Sequence, residues 1–538
     1  MMADMLSRYT GPAPAKAAEG WSVTRMTPPS RLSGANGIRT GADDRIYIAS
    51  VPSSSISAIN PDTGAIEVIS PLGGDIVAPD DLVFDEAGNL YVTEITLGRV
   101  TMREPNGRTS VICGDMPVAN PITFHQNRLI AGECRMDARI MELDRNGGAP
   151  RVIKSGIPMA NAFDVGPDGR LYAPIMGANE IWAIDLATGA HDVVAGDLGV
   201  PDSVKFDSKG RMVTTQVASG DVLRIDLQSG NRETLANLGP GLDNVAFVGD
   251  RIFVSSINSS ITEILGNGEV RPLVQRGLQW PLGLAVDSDD NIFVCDGVYG
   301  YNLRPGGEIS CDALQLAGMI FWPGCPGYLR GVTAGCAPGE WIITTGLGSI
   351  ARYRPAAGES DFIGHGYDQL MGVATTGGGA IVFAEYGTGK VHITDGGETR
   401  VIAKGLNKPM GVALVGETMF VAEAGAGQIS MTRNGGAVET LATGLGRPEG
   451  LCVSNGVLYA VDTSTKTLLA IDPSSGDVSI IARDLPVGAP PGITPKFLGP
   501  IGDMSGPMVN FAGIAAGIDG TLYLSGDGEG SVLKLRQA

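Results

Sequence analysis

One unit recurs twelve times along this chain at a spacing of about 40 residues, and that repeat constrains the fold more than any other feature. In the segment from Pro79, PDDLVFDEAGNLYVTEITLGRVTMREPNGRTSVI, a short apolar run (LVF) ends in a turn (DEAG). A second run (LYV), a loop (TEITLG) and two further alternating runs separated by PNG follow. These are four strands of four to six residues with Gly, Asn and Asp at the turns. A four-stranded antiparallel unit at this period is the signature of a propeller blade. The first hairpin recurs as VGPDGRLYA, FDSKGRMVT, VDSDDNIFV and GIDGTLYLS, and the inner strands begin near Gly37, Asp81, Pro121, Ala162, Ser203, Asn244, Gly283, Gly331, Gly372, Gly411, Gly450 and Gly513. The 78 glycines, 6% aromatic and 18% charged residues suit short strands joined by tight turns, with no long helix. The fold class is therefore all-β, two six-bladed β-propellers, with one ring of twelve as the alternative.

The last unit, from Phe511, has only three strands, and an orphan strand, Trp21–Thr27, precedes the first unit. An unpaired strand edge is a liability, so Trp21–Thr27 is expected to close the second propeller as the outer strand of blade twelve. The organisation is then residues 1–34 as amino-terminal strand and crossover linker, 35–278 as the first propeller and 279–538 as the second. Two Gly/Pro-rich apolar segments, 311–329 and 485–510, break the period and are expected as long loops. They serve either as packing or as a lid over a site.

The balance of 58 Asp and Glu against 39 Lys and Arg, a formal charge of −19, includes no basic stripe and argues against a nucleic-acid partner. None of the seven cysteines forms a CxxC, which suits reduced thiols in a cytoplasmic protein. The start lacks the charge and apolar pattern of a secretory leader, and no apolar run approaches the length of a membrane span. A small-molecule substrate is the expected partner, with the oligomeric state left open.

The residue just before each inner strand carries the functional signal. In the first six blades it is Asn36, Asp80, Asn120, Asn161, Asp202 and Asp243, the last five spaced by 40, 41, 41 and 41. In the last six it is Leu282, Arg330, Met371, Met410, Glu449 and Ala512. Inner strands line the channel, so the first set brings six side-chain oxygens around one axis. Three carboxylates among them would repel unless a cation sat between them. Calcium, or another hard divalent cation, is the expected cofactor, since zinc prefers His and Cys. The plainer alternative is that Asn and Asp cap the turns before strands. In the second ring, Arg330 and Glu449 either pair across the channel or form a second site. The four histidines fall outside the ring, His125 in a hairpin turn and His191, His365 and His392 on or near outer strands. No GxSxG, HExxH or P-loop occurs.

These residues resemble the superfamily of senescence marker protein (regucalcin), gluconolactonase and luciferin-regenerating enzyme, six-bladed propellers with one divalent cation, usually calcium, at the channel mouth. Asn120 in VANPITF, Asn161 in ANAFDVGPDGRLYA and Asp202 in VPDSVKFDSKGRMV match the family's third, fourth and fifth blade ligands. Asn36 stands where the family has Glu, Ser203 alters the PDG turn, and Val118 replaces the Arg that helps hold sugar acids. The resemblance implies metal ligands Asn36, Asn120, Asn161 and Asp202, with Asp202 and then Asp243 as base or nucleophile. Asp80 and the loop residues Glu94, Glu133, Arg135 and Gln216 are candidates for substrate contacts or support of the ligands. The implied function is calcium-dependent hydrolysis of a small ester or lactone. The alternatives are a non-catalytic ligand- or protein-binding double propeller with structural calcium, and a metal-assisted lyase or isomerase.

Overall fold

The computed structural model describes residues 6–304, 306, 308–316, 318–433 and 435–537. The first five residues of the supposed non-leader start lie outside these. Twelve antiparallel sheets of four or five strands follow one another, each a blade in which the chain runs from an inner strand outward. Blade two is representative, with strands Pro79–Phe84, Leu90–Glu94, Arg99–Arg103 and Thr109–Cys113 paired in order. Its first hairpin is closed by a side chain: Asp85 Oδ1 accepts from the backbone N–H of Ala87 and Asn89, while Gly88 takes φ 81°. Asp207 does the same for Lys209 and Arg211, with Gly210 at φ 72°.

The core lies between blades. One cluster joins Val83, Tyr91 and Val100 of blade two to Ile122, Leu129, Ala131 and Met141 of blade three, all buried. Period-two alternation sends successive side chains to opposite faces of a blade, and both faces are covered by neighbours.

The chain divides into two compact units, which we call the first propeller (Arg31–Gln279 with Thr494–Gly502) and the second propeller (Met1–Ser30, Trp280–Ile493 and Asp503–Ala538). In the first, blade six meets blade one through Thr40 Oγ1, which donates to Phe247 O at 2.6 Å, and Ser255 Oγ, which donates to Asn36 O at 2.7 Å. In the second, blade twelve meets blade seven through Gly513 N and Ser525 Oγ, both donating to Leu282 O, at 3.2 and 2.5 Å. Trp21–Arg25 pairs antiparallel with Ser531–Gln537 as the outer strand of blade twelve.

Several sequence expectations need correction. Residues 494–502, expected within a loop of the second propeller, pack as a strap on the first. The supposed loop from Cys311 begins as strand, because the outer strand of blade seven runs Ile309–Leu316 and turns back as Met319–Ile320. His392 lies on a third strand, Lys390–Asp395, stacked on Phe383 with Nε2 2.8 Å from Glu385 Oε2.

In the second propeller every inner strand has glycine after its ring position, and Gly283, Gly372, Gly411, Gly450 and Gly513 line the channel. A Cβ on Gly372 would sit 2.6 Å from Met410 O of the next blade. Gly372→Ala is expected to destabilise the second propeller by about 1–3 kcal/mol, read by chemical denaturation, because the clash is with backbone that cannot rotate away.

Candidate functional site

A β-bulge aims the ring residues. Strand register slips between Pro79 and Leu82, Ala119 and Ile122, Pro201 and Ser203, and Leu242 and Val245. Asp80, Asn120, Asp202 and Asp243 sit in these bulges, which turn a side chain out of the ladder toward the channel. Two residues before each ring residue the backbone is left-handed: Gly34 (φ 76°), Ala78 (47°), Val118 (55°), Met159 (65°), Val200 (62°) and Gly241 (93°). For Val118 and Val200, β-branched, this conformation is costly. A clamp holds it in place. The carbonyls of Ala78, Val118, Met159, Val200 and Gly241 accept N–H groups from Ile95, Cys134, Met176, Val217 and Ile257, each just past the second strand of the same blade.

A second repeated bond fixes the ring residues' own backbone. Thr93 Oγ1 accepts from Asp81 N and donates to Asn120 O at 2.8 Å. Thr215 Oγ1 accepts from Ser203 N and donates to Asp243 O, and Ser255 Oγ accepts from Asn244 N and donates to Asn36 O. Each hydroxyl thus ties its blade to the ring residue of the next. Sequence reasoning missed these residues, although the signal was a Thr or Ser at one place in the second strands LYVTE, MVTTQ and RIFVSS.

All six ring residues are buried. Asn36 Nδ2 donates to Asp243 Oδ2 at 3.3 Å, and its Oδ1 accepts from Val51 N. Asn161 Oδ1 accepts from Ala162 N, while its Nδ2 lies 3.3 Å from Met176 Sδ. Asn120 hydrogen-bonds the Cys134 thiol, whose pKa is driven up by burial and then by the charges of Asp80, Asp202 and Asp243. Asp202 is 0% exposed, and neither of its carboxylate oxygens has a hydrogen-bond partner. Burial first, and then the fields of Asp80 and Asp81, push its pKa well above the usual carboxylate range. Burial and its neighbour Asp81 likewise raise Asp80, and Asp243 is raised by burial and then by Asp202, Asp80 and Asp81. Asp80, Asp202 and Asp243 therefore form one interacting carboxylate group.

One layer deeper, three residues along the inner strands, the channel carries charge of both signs. Arg39 donates to Leu82 O and Ile122 O and lies 3.8 Å from Asp164 Oδ2, whose Oδ1 accepts from Thr123 Oγ1. Lys205 Nζ donates to Phe163 O at 3.2 Å, and burial, then Arg39, lower its pKa to about 8. Sequence reasoning missed this layer too; its signal was a charge inside an inner strand, as in DSVKF.

The loop candidates are committed elsewhere. Glu94, fully buried, binds Arg99 through both oxygens, along with Thr101 Oγ1 and Val77 N. Glu133 binds Arg139 and Arg135, and Gln216 spans Gly199 N and Thr214 Oγ1. These bonds shape the loops that frame the ring, while Arg135, its side chain 41% exposed, reaches Glu133 through Nε. In the second ring, Arg330 and Glu449 do not pair with each other. Arg330 donates to the carbonyls of Ser505, Pro507 and Val509 and stacks between Trp280 and Tyr328, while Glu449 accepts from Arg447, Thr463 and Ala512 N. Both are spent on local partners, so the ion pair expected across the channel does not form.

Among the described residues no three His, Cys, Asp or Glu side chains converge at metal-ligand spacing. A cation in the first ring would therefore draw on amide as well as carboxylate oxygens. That mixed oxygen set, with two orphaned oxygens on Asp202, fits a hard divalent cation and not zinc. The strap borders the ring on the side of blades two and three: Lys496 Nζ reaches Asp75 Oδ1, Gly499 packs on Thr96 O and Gly502 on Val118.

Relief of the left-handed strain gives a test of this frame. Val200→Gly is expected to leave stability unchanged or raise it by up to about 1 kcal/mol in thermal unfolding. Val204→Gly, four residues on in a buried extended strand, should cost more than about 2 kcal/mol.

Residues 21–258 match the family described as SMP-30/Gluconolactonase/LRE-like region. Apart from Trp21–Ser30 at its start, the match falls within the first propeller. No curated protein matches the chain. Among solved structures, a streptogramin B lyase is similar at 14% identity and TM-score 0.38, covering 51% of this chain and 94% of that one. A PQQ-bound aldose sugar dehydrogenase from Streptomyces coelicolor is similar at 15% identity and TM-score 0.37, covering 45% and 94%. No helix among the described residues is long and apolar enough to cross a membrane.

Proposed function

We propose, taking residues 21–258 as an SMP-30/gluconolactonase/LRE-like region, that the first propeller is a calcium-dependent hydrolase of a small ester or lactone. One observation carries this reading: both oxygens of Asp202 are buried without a partner beside two further raised carboxylates. Leaving such a group unpaired costs free energy that a bound cation would recover. Asp202 with Asn120 and Asn161 would hold the cation, with Asn36 completing the set where its Oδ1 lone pairs allow. When bound, the cation would polarise the substrate carbonyl.

The remaining chemistry belongs to side chains. Burial and then mutual repulsion raise the carboxylates of Asp80, Asp202 and Asp243 above the usual carboxylate range, which makes each a stronger base toward water once ionised. Asp202 is the first candidate base, and Asp243, oriented by Asn36, the second. Water adds to the acyl carbon, the acyl–oxygen bond breaks, and the proton passes through the carboxylate group to the leaving alkoxide. Cys113, Cys134, Cys295, Cys325, Cys336 and Cys452 are free thiols, which suits a cytoplasmic setting.

The competing reading is a non-catalytic binding propeller with structural calcium, favoured by the complete burial of Asp202. Calcium at 100 times its Kd is expected to stabilise the first propeller by about 2.7 kcal/mol in either case. Under the hydrolase reading a chelator abolishes turnover across a lactone and ester panel; under the structural one there is no turnover to lose. Asp202→Asn should eliminate calcium binding by calorimetry and the thermal shift. In calcium-free buffer it should unfold later than the parent protein, by about 1–3 kcal/mol, because a buried unpaired charge is gone. A parent-like calcium isotherm in this variant would refute the assignment.

A further inference from the structure

The walls around the first ring are apolar. Each blade contributes the residue just past its second strand: Val51, Ile95, Cys134, Met176, Val217 and Ile257, all buried. Two of these demonstrably face the ring, since Met176 Sδ contacts Asn161 Nδ2 and the Cys134 thiol bonds Asn120. The other four occupy the same place in the repeat, and five of the six, Cys134 and Met176 among them, share the same backbone clamp. Val118 stands beside Asn120 and packs on the strap at Gly502. Further out, the loops of blades two and three expose Leu97 and Met136, at 42% and 59%, and the strap exposes Phe497 at 67%.

Several polar groups beside the collar are already engaged. Glu94 and Glu133 bind arginines, and Gln216 is spent on Gly199 and Thr214. Thr96 Oγ1, buried without a partner, offers a single hydroxyl near the strap. A polyhydroxylated group lying against the collar would lose its water there without replacement bonds. An alkyl chain would lose nothing and would gain the burial of its methylenes.

We propose that the site selects esters or lactones bearing an apolar acyl or alkyl chain, and that the collar of blades one to six, with Val118 and the strap 494–502, determines this specificity. This rests on the hydrolase reading of the same ring and narrows its substrate class. Water cleaves the acyl–oxygen bond, giving a carboxylate and an alcohol, or one hydroxy acid from a lactone. The chain stays in the collar while the carbonyl sits at the ring.

The test uses the full chain with calcium and two ligand series of increasing alkyl length: γ-lactones, and the matching lactams, which resist hydrolysis. For the first few carbons kcat/KM should rise about fourfold per methylene, with gluconolactone the poorest substrate. Lactam Kd, by calorimetry, should fall in parallel with a negative heat-capacity change. Phe497→Ser and Met136→Ser, at exposed positions that should fold normally, are expected to flatten both slopes. If lactones are hydrolysed with no chain-length dependence, or gluconolactone is preferred, the specificity proposal is overturned and the hydrolase reading survives. If lactams bind more tightly with length while no lactone is hydrolysed, the hydrolase reading falls and the apolar site stands. If neither series responds, both are refuted.

Discussion

A single hydroxyl, donated by one blade to the backbone carbonyl of the next, holds the mouth of the first propeller together. Thr93 grips Asn120, Thr215 grips Asp243, and Ser255 grips Asn36 across the seam where blade six meets blade one. Each gripped carbonyl belongs to a ring residue, so the bond that joins two blades also positions a side chain at the axis. Without it the bulges would be free to relax, and the carboxylates would separate under their own repulsion. The left-handed residues serve the same end: strain at Val118 and Val200 is tolerated because an N–H from the second strand fixes their carbonyls.

The two propellers use one scaffold in opposite ways. In the second, glycine follows every ring position, inner strands approach closely, and the charged ring members are satisfied by local partners. In the first, only blade one keeps that glycine, Gly37, and Asp202 remains unsatisfied at the centre. Arg39 and Lys205, one layer deeper, bring positive charge into the channel, yet they act on Asp81 and Asp164 and leave the three ring carboxylates uncompensated. Two propellers of the same blade topology therefore differ in whether buried charge is balanced from within.

The blades and the ring were legible because both are periodic. Glycine and aspartate at the turns mark each hairpin, and Asn or Asp at one place in six successive units stands out against six units that lack it. What escaped was set by geometry without a compositional mark. Nothing in Val118 or Val200 announces a left-handed backbone, since valine disfavours it. Glu94, Glu133 and Gln216 look like open polar groups until the partners that occupy them are seen in three dimensions. The 485–510 segment has the same Gly/Pro-rich character throughout, so its middle third gave no sign of belonging to the other propeller. Residues from Cys311 to Leu316, CDALQL, pair as strand although they lack β-branched residues, an instance of tertiary pairing overriding local propensity.

The strand Trp21–Arg25 leaves the ribosome long before its partner Ser531–Gln537; Ser22 and Arg536 are 514 positions apart. Until that partner emerges, the strand is an open edge, able to recruit a neighbouring chain. Blades one to six can close on one another once Gln279 has emerged, whereas blade twelve waits for Ser531–Gln537. The two wheels thus mature in a fixed sequence, and the later one depends on a holding period that the earlier one does not share.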